Sequence, residues 1–343
     1  MSADMIILGL AGVLASGAPI VIAVIGETIT ERAGVINLSL NGVVILSAMM
    51  GFSVSVKTDS LILGFLTGML VGALVAAIVA FSSITLKQSQ VAVGFILAIT
   101  CRDLAYFLGN PIMGSQGPIL YSTSIPVLEN IPVLGKLLFQ QSIMTYLSII
   151  LIFIAWFWIT KTRPGLLLQG IGEKPAAAYV RGANVLRMRY FYTILGGALV
   201  GLAGPLYTLS VKPGWKGTIT GLDGIGWIVL AITIFGGWNP IRAAFGAYLF
   251  AFLQWLGLVL QSSLTFIPSQ VLQVAPFPLM ILALLFVNLG NTEWMARLLA
   301  TLPDNLRIRM TKLIRTLRAQ PPAAVGAPFE REWPLQIPDN KKG

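Results

Sequence analysis

The chain has 343 residues, 56% of them hydrophobic and only 10% charged, well under half the share of about 25% usual in soluble domains. Lys and Arg number 23 against 13 Asp and Glu, a net charge of +10. There is no His, which excludes His-based catalysis and the usual zinc sites, and the single Cys101 excludes an intrachain disulfide or a Cys cluster.

Length alone suggests two soluble domains, but apolar blocks of about 20 residues identify a polytopic membrane protein instead. The blocks run 5–26, 33–52, 61–81, 91–109, 142–160, 190–211, 225–236, 241–262 and 272–289. Each reads as helix, because a chain crossing lipid satisfies its backbone internally. The fold class is therefore all-α, with nine spans, or ten if one block hides a further broken span. The first block follows a start whose only charged side chain is Asp4, and Gly26-Glu27 stands where a cleavage site would be. It reads as a membrane helix, not a signal peptide.

Residues 26–42, GETITERAGVINLSLNG, separate the first two blocks with two carboxylates, an Arg, three Gly and two Asn. One reading is a broken membrane helix near residues 33–42, whose freed backbone and polar side chains Asn37, Ser39 and Asn41 line a pathway. The other is an ordinary turn followed by a helix with a polar face. Gly64, Gly68 and Gly72 in the third block, and Gly197 and Gly201 in the sixth, form ridges for close helix packing. Asp103 is the carboxylate inside the fourth block, beside Arg102, so it is a candidate either for the pathway or for structural pairing. Trp227, Trp238, Trp255 and Trp294 read as interfacial anchors, with stacking on a ring as the alternative role. The loop 110–141 is rich in Gly and Pro at its start and lacks a helix pattern.

Segment 161–189 carries Lys161, Arg163, Lys174, Arg181, Arg187 and Arg189 against Glu173 alone. Within it, Gly172-Glu173-Lys174-Pro175-Ala176-Ala177-Ala178 leads to Arg181 and Gly182. Pro175 fits the first position of a helix, the alanines propagate it, and Gly182 ends it. A short rigid helix in a basic loop suits contact with a soluble motor; a plain turn between spans is the alternative. The short block 225–236 needs help from its neighbours to cross. Residues 305–318 pattern as a basic amphipathic helix suited to anionic lipid. Three regions follow: a membrane domain 1–290, a basic amphipathic segment 291–318 and a Pro-rich, polar tail 319–343 expected to be disordered. Placing 161–189 and the tail in the cytoplasm puts 18 basic residues inside and leaves four outside, as the positive-inside rule requires.

Two stretches, in this order, resemble the signatures of permease subunits of bacterial ABC importers of the branched-chain amino acid, simple sugar and nucleoside type. Glu31-Arg32-Ala33-Gly34-Val35-Ile36-Asn37-Leu38-Ser39-Leu40-Asn41-Gly42 is similar to the first, and Gly172 through Ala178 with Gly182 to the second. Leu86–Val91, Gly196–Gly204, Phe235–Pro240 and Pro268–Gln270 also fit. The likeness covers about residues 10–290 and is greatest to the second permease of the nucleoside branch. Asn41 stands where that branch often has Glu, and Lys174 where the family usually has Asn.

The resemblance implies a type II importer-like permease in the bacterial inner membrane, with its C-terminus cytoplasmic. It implies a nucleoside or simple sugar as solute, with branched-chain amino acids as the alternative. Gly172, Glu173, Lys174, Pro175, Ala177, Arg181 and Gly182 would belong to a coupling helix seated on an ATPase. The ATPase would be a separate chain holding ATP and Mg, since no G-x-x-x-x-G-K-[ST] occurs here; this chain would carry no cofactor and no catalytic residue. Further partners would be a second permease, an extracytoplasmic solute-binding protein and membrane lipid, with no nucleic acid. Among other classes, an ion-coupled transporter lacks the intramembrane His and carboxylate array it needs, and a membrane enzyme lacks paired catalytic groups.

Overall fold

The computed structural model describes residues 3–126, 128–261, 278, 281–282 and 321–329. Apart from 278, 281 and 282, the block 272–289 lies outside the described residues, as do Pro268–Gln270, Trp294, the segment 291–318 and most of the tail. Among the described residues, eight helical stretches are long and apolar enough to cross a membrane. They correspond in order to the first eight apolar blocks.

Helix α1 spans Ala3–Arg32 and α2 spans Leu40–Thr58, joined by a non-helical segment 33–39. Helices α3 (Leu61–Ala80) and α4 (Gln90–Gly109) follow, α3 ending in a π-helical turn Phe81–Thr85. The loop 110–141 holds a two-residue strand pair, β1 (Thr123–Ser124) with β2 (Gln140–Gln141), and the short α5 (Leu134–Leu138). Then come α6 (Ile143–Lys161), α7 (Arg163–Glu173), α8 (Pro175–Val180) and α9 (Val185–Leu206). The last two are α10 (Ile225–Phe235) and α11 (Pro240–Gln261). A 3-10 turn at Gly217–Thr220 supplies the length that α10 lacks.

Side chains at the breaks explain where helices begin. Ser60, Ser89, Ser142, Thr162 and Asn184 each accept a hydrogen bond from the backbone N–H three residues ahead, at 3.2–3.4 Å, satisfying donors a helix start leaves open. Helix α2 is the centre of the bundle, packed against α3, α4, α9 and α10. The expected glycine ridges meet each other: a Cβ on Gly68 would lie 2.6 Å from the Gly201 carbonyl, and one on Gly72 would lie 2.7 Å from the Gly201 backbone. Only hydrogen fits there, so α3 and α9 pack backbone to backbone.

Two boundaries differ from the sequence reading. Gly26 through Arg32, read as part of the polar connection, continue α1, and Gly26 packs on the Gly196 carbonyl of α9. Thr28 and Thr30 return their hydroxyls to the carbonyls of Val24 and Gly26, so this polar turn remains helical while buried. Likewise the second helix begins at Leu40, not at residue 33. A third difference concerns the tail. Residues 321–329, expected to be disordered with the rest of 319–343, are seated on the bundle through hydrogen bonds to Gly34, Gly172, Glu173 and Arg189. The Pro-rich composition there does not prevent order, because backbone groups make these contacts.

Candidate functional site

The break between α1 and α2 turns on Gly34, whose φ of +89° suits glycine and strains other residues. From there the chain climbs along α4. Ile36 N–H donates to the Gln90 side-chain oxygen at 2.7 Å, Leu38 lies against Gly94, and Gly42 lies against the Ala98 backbone. Gln90 to Ala98 is about 12 Å of helix, so α2 starts well inside the bundle. Asn37 and Ser39 are 1% and 0% exposed. The Asn37 side-chain oxygen accepts from both the N–H (3.1 Å) and the hydroxyl (2.6 Å) of Ser39. These two residues fix the start of α2, and their polar atoms point at each other.

Asn41 is placed differently. Its amide donates to Asp223 Oδ1 at 2.7 Å, and its side-chain oxygen accepts the Gly224 N–H at 2.9 Å. Gly224 has a φ of +97° and opens α10, while a Cβ on Gly226 would collide with the Asn41 backbone. The N-termini of two helices, α2 and α10, thus converge at Asn41. Arg102 of α4 completes the group, lying 3.8 Å from Asp223 Oδ2 and donating to Asp103 Oδ1 at 2.9 Å. Two lengths place the group at depth. Arg102 is about 18 Å along α4 from Gln90, and Ile225 is about 16 Å along α10 from its other end.

That other end is fixed: Trp238, just past α10, offers its carbonyl to Arg32 Nε and Nη2 at 3.1 and 3.0 Å, and Arg32 Nη1 reaches Gln169 of α7 at 3.1 Å. The group lies about 10 Å along α4 from that helix's other end at Gly109, within stretches of α4 and α10 that are long and apolar enough to cross a membrane. Asn41 is buried, but the side chains of Arg102, Asp223 and Asp103 are 36%, 49% and 60% exposed. About 10 Å along α4 from Arg102, Phe95 forms a tilted aromatic pair with Trp227 at 6.0 Å, joining α4 to α10.

The structure brings Asn41 and Asp103, both singled out in the sequence, into one network through Arg102 and Asp223, and Asp223 is the link the sequence reading did not name. A signal was present: Gly221-Leu222-Asp223-Gly224 stands before a short apolar block, where a helix start is expected. Also missed were Glu27 and Glu31, which lie on the last two turns of α1 and are 0% and 3% exposed. Glu27 accepts the Asn37 N–H at 3.4 Å and Glu31 accepts the Trp238 indole N–H. Trp238, at 4% exposed, is thus a buried donor and no interfacial anchor.

Beyond Arg32 the second motif forms a projection. Helix α7 ends at Glu173, the backbone breaks at Lys174, Pro175 opens α8, and Gly182 closes it with a φ of +89°. Gly172 is buried against the Arg32 backbone. Ile171, Ala178 and Val185 form a small apolar core under the projection. Glu173, Lys174, Ala177, Val180, Arg181 and Gly182 are exposed around it.

With this geometry in hand, relatives can be compared. Residues 9–288 match the family model described as branched-chain amino acid transport system / permease component. A putative glucose ABC transporter permease of Haloferax volcanii is 31% identical over 321 residues, 91% of this chain and 94% of its own length. A guanosine ABC transporter permease of Bacillus subtilis is 33% identical, covering 79% of this chain and 89% of the relative. A nucleoside ABC transporter permease of Lactococcus lactis is 32% identical, with 80% and 90% covered. No solved structure matches the chain. The matched region contains both motifs and, apart from the first residues of α1, all eight described spans, and the chain belongs to this family of membrane permeases of ABC transporters.

Proposed function

We propose that this chain forms part of the solute path of an ATP-driven importer, taking up a nucleoside or a simple sugar. The observation that carries the reading is the cluster of Asn41, Asp223, Arg102 and Asp103 at the meeting point of two helix starts. Charged side chains at that depth are too costly to leave against lipid, so the exposed face of α4 borders either water or another subunit. A second permease covering that face would enclose a polar path between the two chains. Carboxylate, amide and guanidinium groups suit a solute rich in hydroxyls, and the Phe95–Trp227 pair offers a ring surface on which a base or sugar could stack. Asn37 and Ser39 contribute by holding the start of α2 in place.

The exposed projection at α8 supports assignment of Glu173, Lys174, Arg181 and Gly182 to the contact with an ATPase, which would hold ATP and Mg. In this reading the α8 end faces the cytoplasm, the bilayer is the bacterial cytoplasmic membrane, and a solute-binding protein meets the opposite end. Gly182 has open space around the position of an added Cβ and an unfavourable φ for other residues. Gly182→Trp should therefore leave insertion intact but distort the end of α8. Loss of solute-stimulated ATP hydrolysis in the assembled complex is the expected result; unchanged stimulation would remove the projection from the coupling role.

The buried pair Glu27 and Glu31 favours comparison with one other reading, an ion-coupled transporter. Both carboxyls already accept hydrogen bonds from the break and from Trp238, which supports a structural role. Uptake that survives ATPase inactivation and collapses with the ion gradient would reverse this preference.

A further inference from the structure

We propose that residues 321–329 are a strap that ties the ATPase-facing projection to the α1–α2 break, with Arg189 as its positioning residue; this rests on the reading of α8 given above. The strap touches every part such a connection needs. Ala324 N–H donates to the Gly172 carbonyl at 2.8 Å, and Ala323 N–H to Glu173 Oε2 at 3.2 Å, both at the end of α7. Two residues further on, Gly326 N–H donates to the Gly34 carbonyl at 3.1 Å. Phe329 packs on Tyr179 of α8, ring centres 5.7 Å apart. A movement of α8 thus reaches Gly34 through a few residues of backbone, and Gly34 begins the segment that climbs to Asn41.

Arg189 indicates that the strap is an integral piece. Its side chain is 2% exposed at the start of α9. Among the described residues its hydrogen-bond partners are the strap carbonyls: Ala327 at 2.8 Å and Ala324 at 3.4 Å. No carboxylate pairs with it there. A guanidinium buried without acceptors is strongly unfavourable, so the strap and Arg189 require one another. The fit is also steric. A Cβ on Gly34 would lie 2.8 Å from Arg189 Nη2 and 3.2 Å from the Ala324 carbonyl, and one on Gly172 would lie 3.3 Å from Pro322 Cβ. Gly326 has a φ of +76° and packs on Ile36, within the climbing segment itself. The break, the arginine and the strap interlock.

Two strap variants test this in the reconstituted complex of permeases, ATPase and binding protein. Phe329→Ala loosens the strap from α8 and leaves the Arg189 contacts in place; Gly326→Val forces its contact with Gly34 and Ile36 apart. Solute uptake per ATP hydrolysed is the readout, because a segment serving only stability would lower the yield of complex but not this ratio. Both variants should keep the basal hydrolysis rate and lower uptake per ATP by about threefold or more, on the scale of one lost aromatic contact. If Gly326→Val fails to assemble, Phe329→Ala decides alone. A wild-type ratio in the assembled strap variants, with Gly182→Trp still abolishing stimulation, would overturn the strap and leave the α8 reading standing. If Gly182→Trp also has no effect, both readings fall.

Discussion

Asp223→Asn should separate transport from assembly. The substitution keeps shape and leaves an oxygen to accept the Asn41 amide, now at 2.7 Å from the carboxylate. What it removes is charge: the bond weakens from charge-assisted to neutral, a loss of about 1 kcal/mol. The Arg102 contact at 3.8 Å is half-exposed and contributes about 0–1 kcal/mol. Asn41→Ala is more severe, because it deletes both the bond to Asp223 and the acceptor for the Gly224 N–H, together about 2–4 kcal/mol. The assay is initial-rate solute uptake into liposomes holding the complete complex, read beside its thermal midpoint. If the Asp223 carboxylate receives the solute, Asp223→Asn should lower uptake about tenfold or more, the value of one charged hydrogen bond, in the complex that does assemble, while the midpoint falls only by the small amount those two contacts set. Asn41→Ala should lower both. Wild-type uptake by Asp223→Asn, or a loss that only follows the amount of assembled complex, would refute the placement of this cluster on the path.

Asn37→Ala should behave in the opposite way to Asp223→Asn. It strips the acceptor from the buried Ser39 N–H and hydroxyl, lowering stability by about 1–3 kcal/mol, visible as a lower midpoint with transport per assembled complex preserved. Gly72→Leu should prevent assembly altogether, since the added side chain meets the Gly201 backbone, and size-exclusion chromatography of the detergent-extracted chain would report it. Trp238→Phe leaves the buried Glu31 carboxyl without its indole donor and should destabilise by about 1–3 kcal/mol, measured as a fall in the midpoint of the isolated permease.

Most of the fold was legible because lipid imposes one rule along the whole chain: long apolar blocks become helices, and irregular backbone is confined to where protein buries it. The glycine ridges marked α3 and α9 for close packing through spacing alone, while that they meet each other emerged only in the folded chain. Asn41 stood out because it interrupts an apolar pattern. Glu27 and Glu31 were misread because two carboxylates close to an Arg look like a connection. In the folded chain, hydrogen bonds from Asn37 and Trp238 let them remain helical and buried.

Arg189 was one more charge in a basic loop. Its true partners are carbonyls 135 and 138 residues away, and a carbonyl leaves no trace in side-chain chemistry. The same reason hid the strap. Its composition reads as unstructured, and its contacts are made by backbone groups that every residue possesses.

The central claim is that solute crosses along this chain at the expense of ATP hydrolysed by another. The direct test is uptake into sealed liposomes containing the permease, its partner permease, the binding protein and the ATPase, with an ATPase unable to hydrolyse as the comparison. The account predicts uptake that requires hydrolysis and is indifferent to ionophores that collapse proton and sodium gradients. Uptake that continues with the inactive ATPase and disappears with the ion gradient would contradict it.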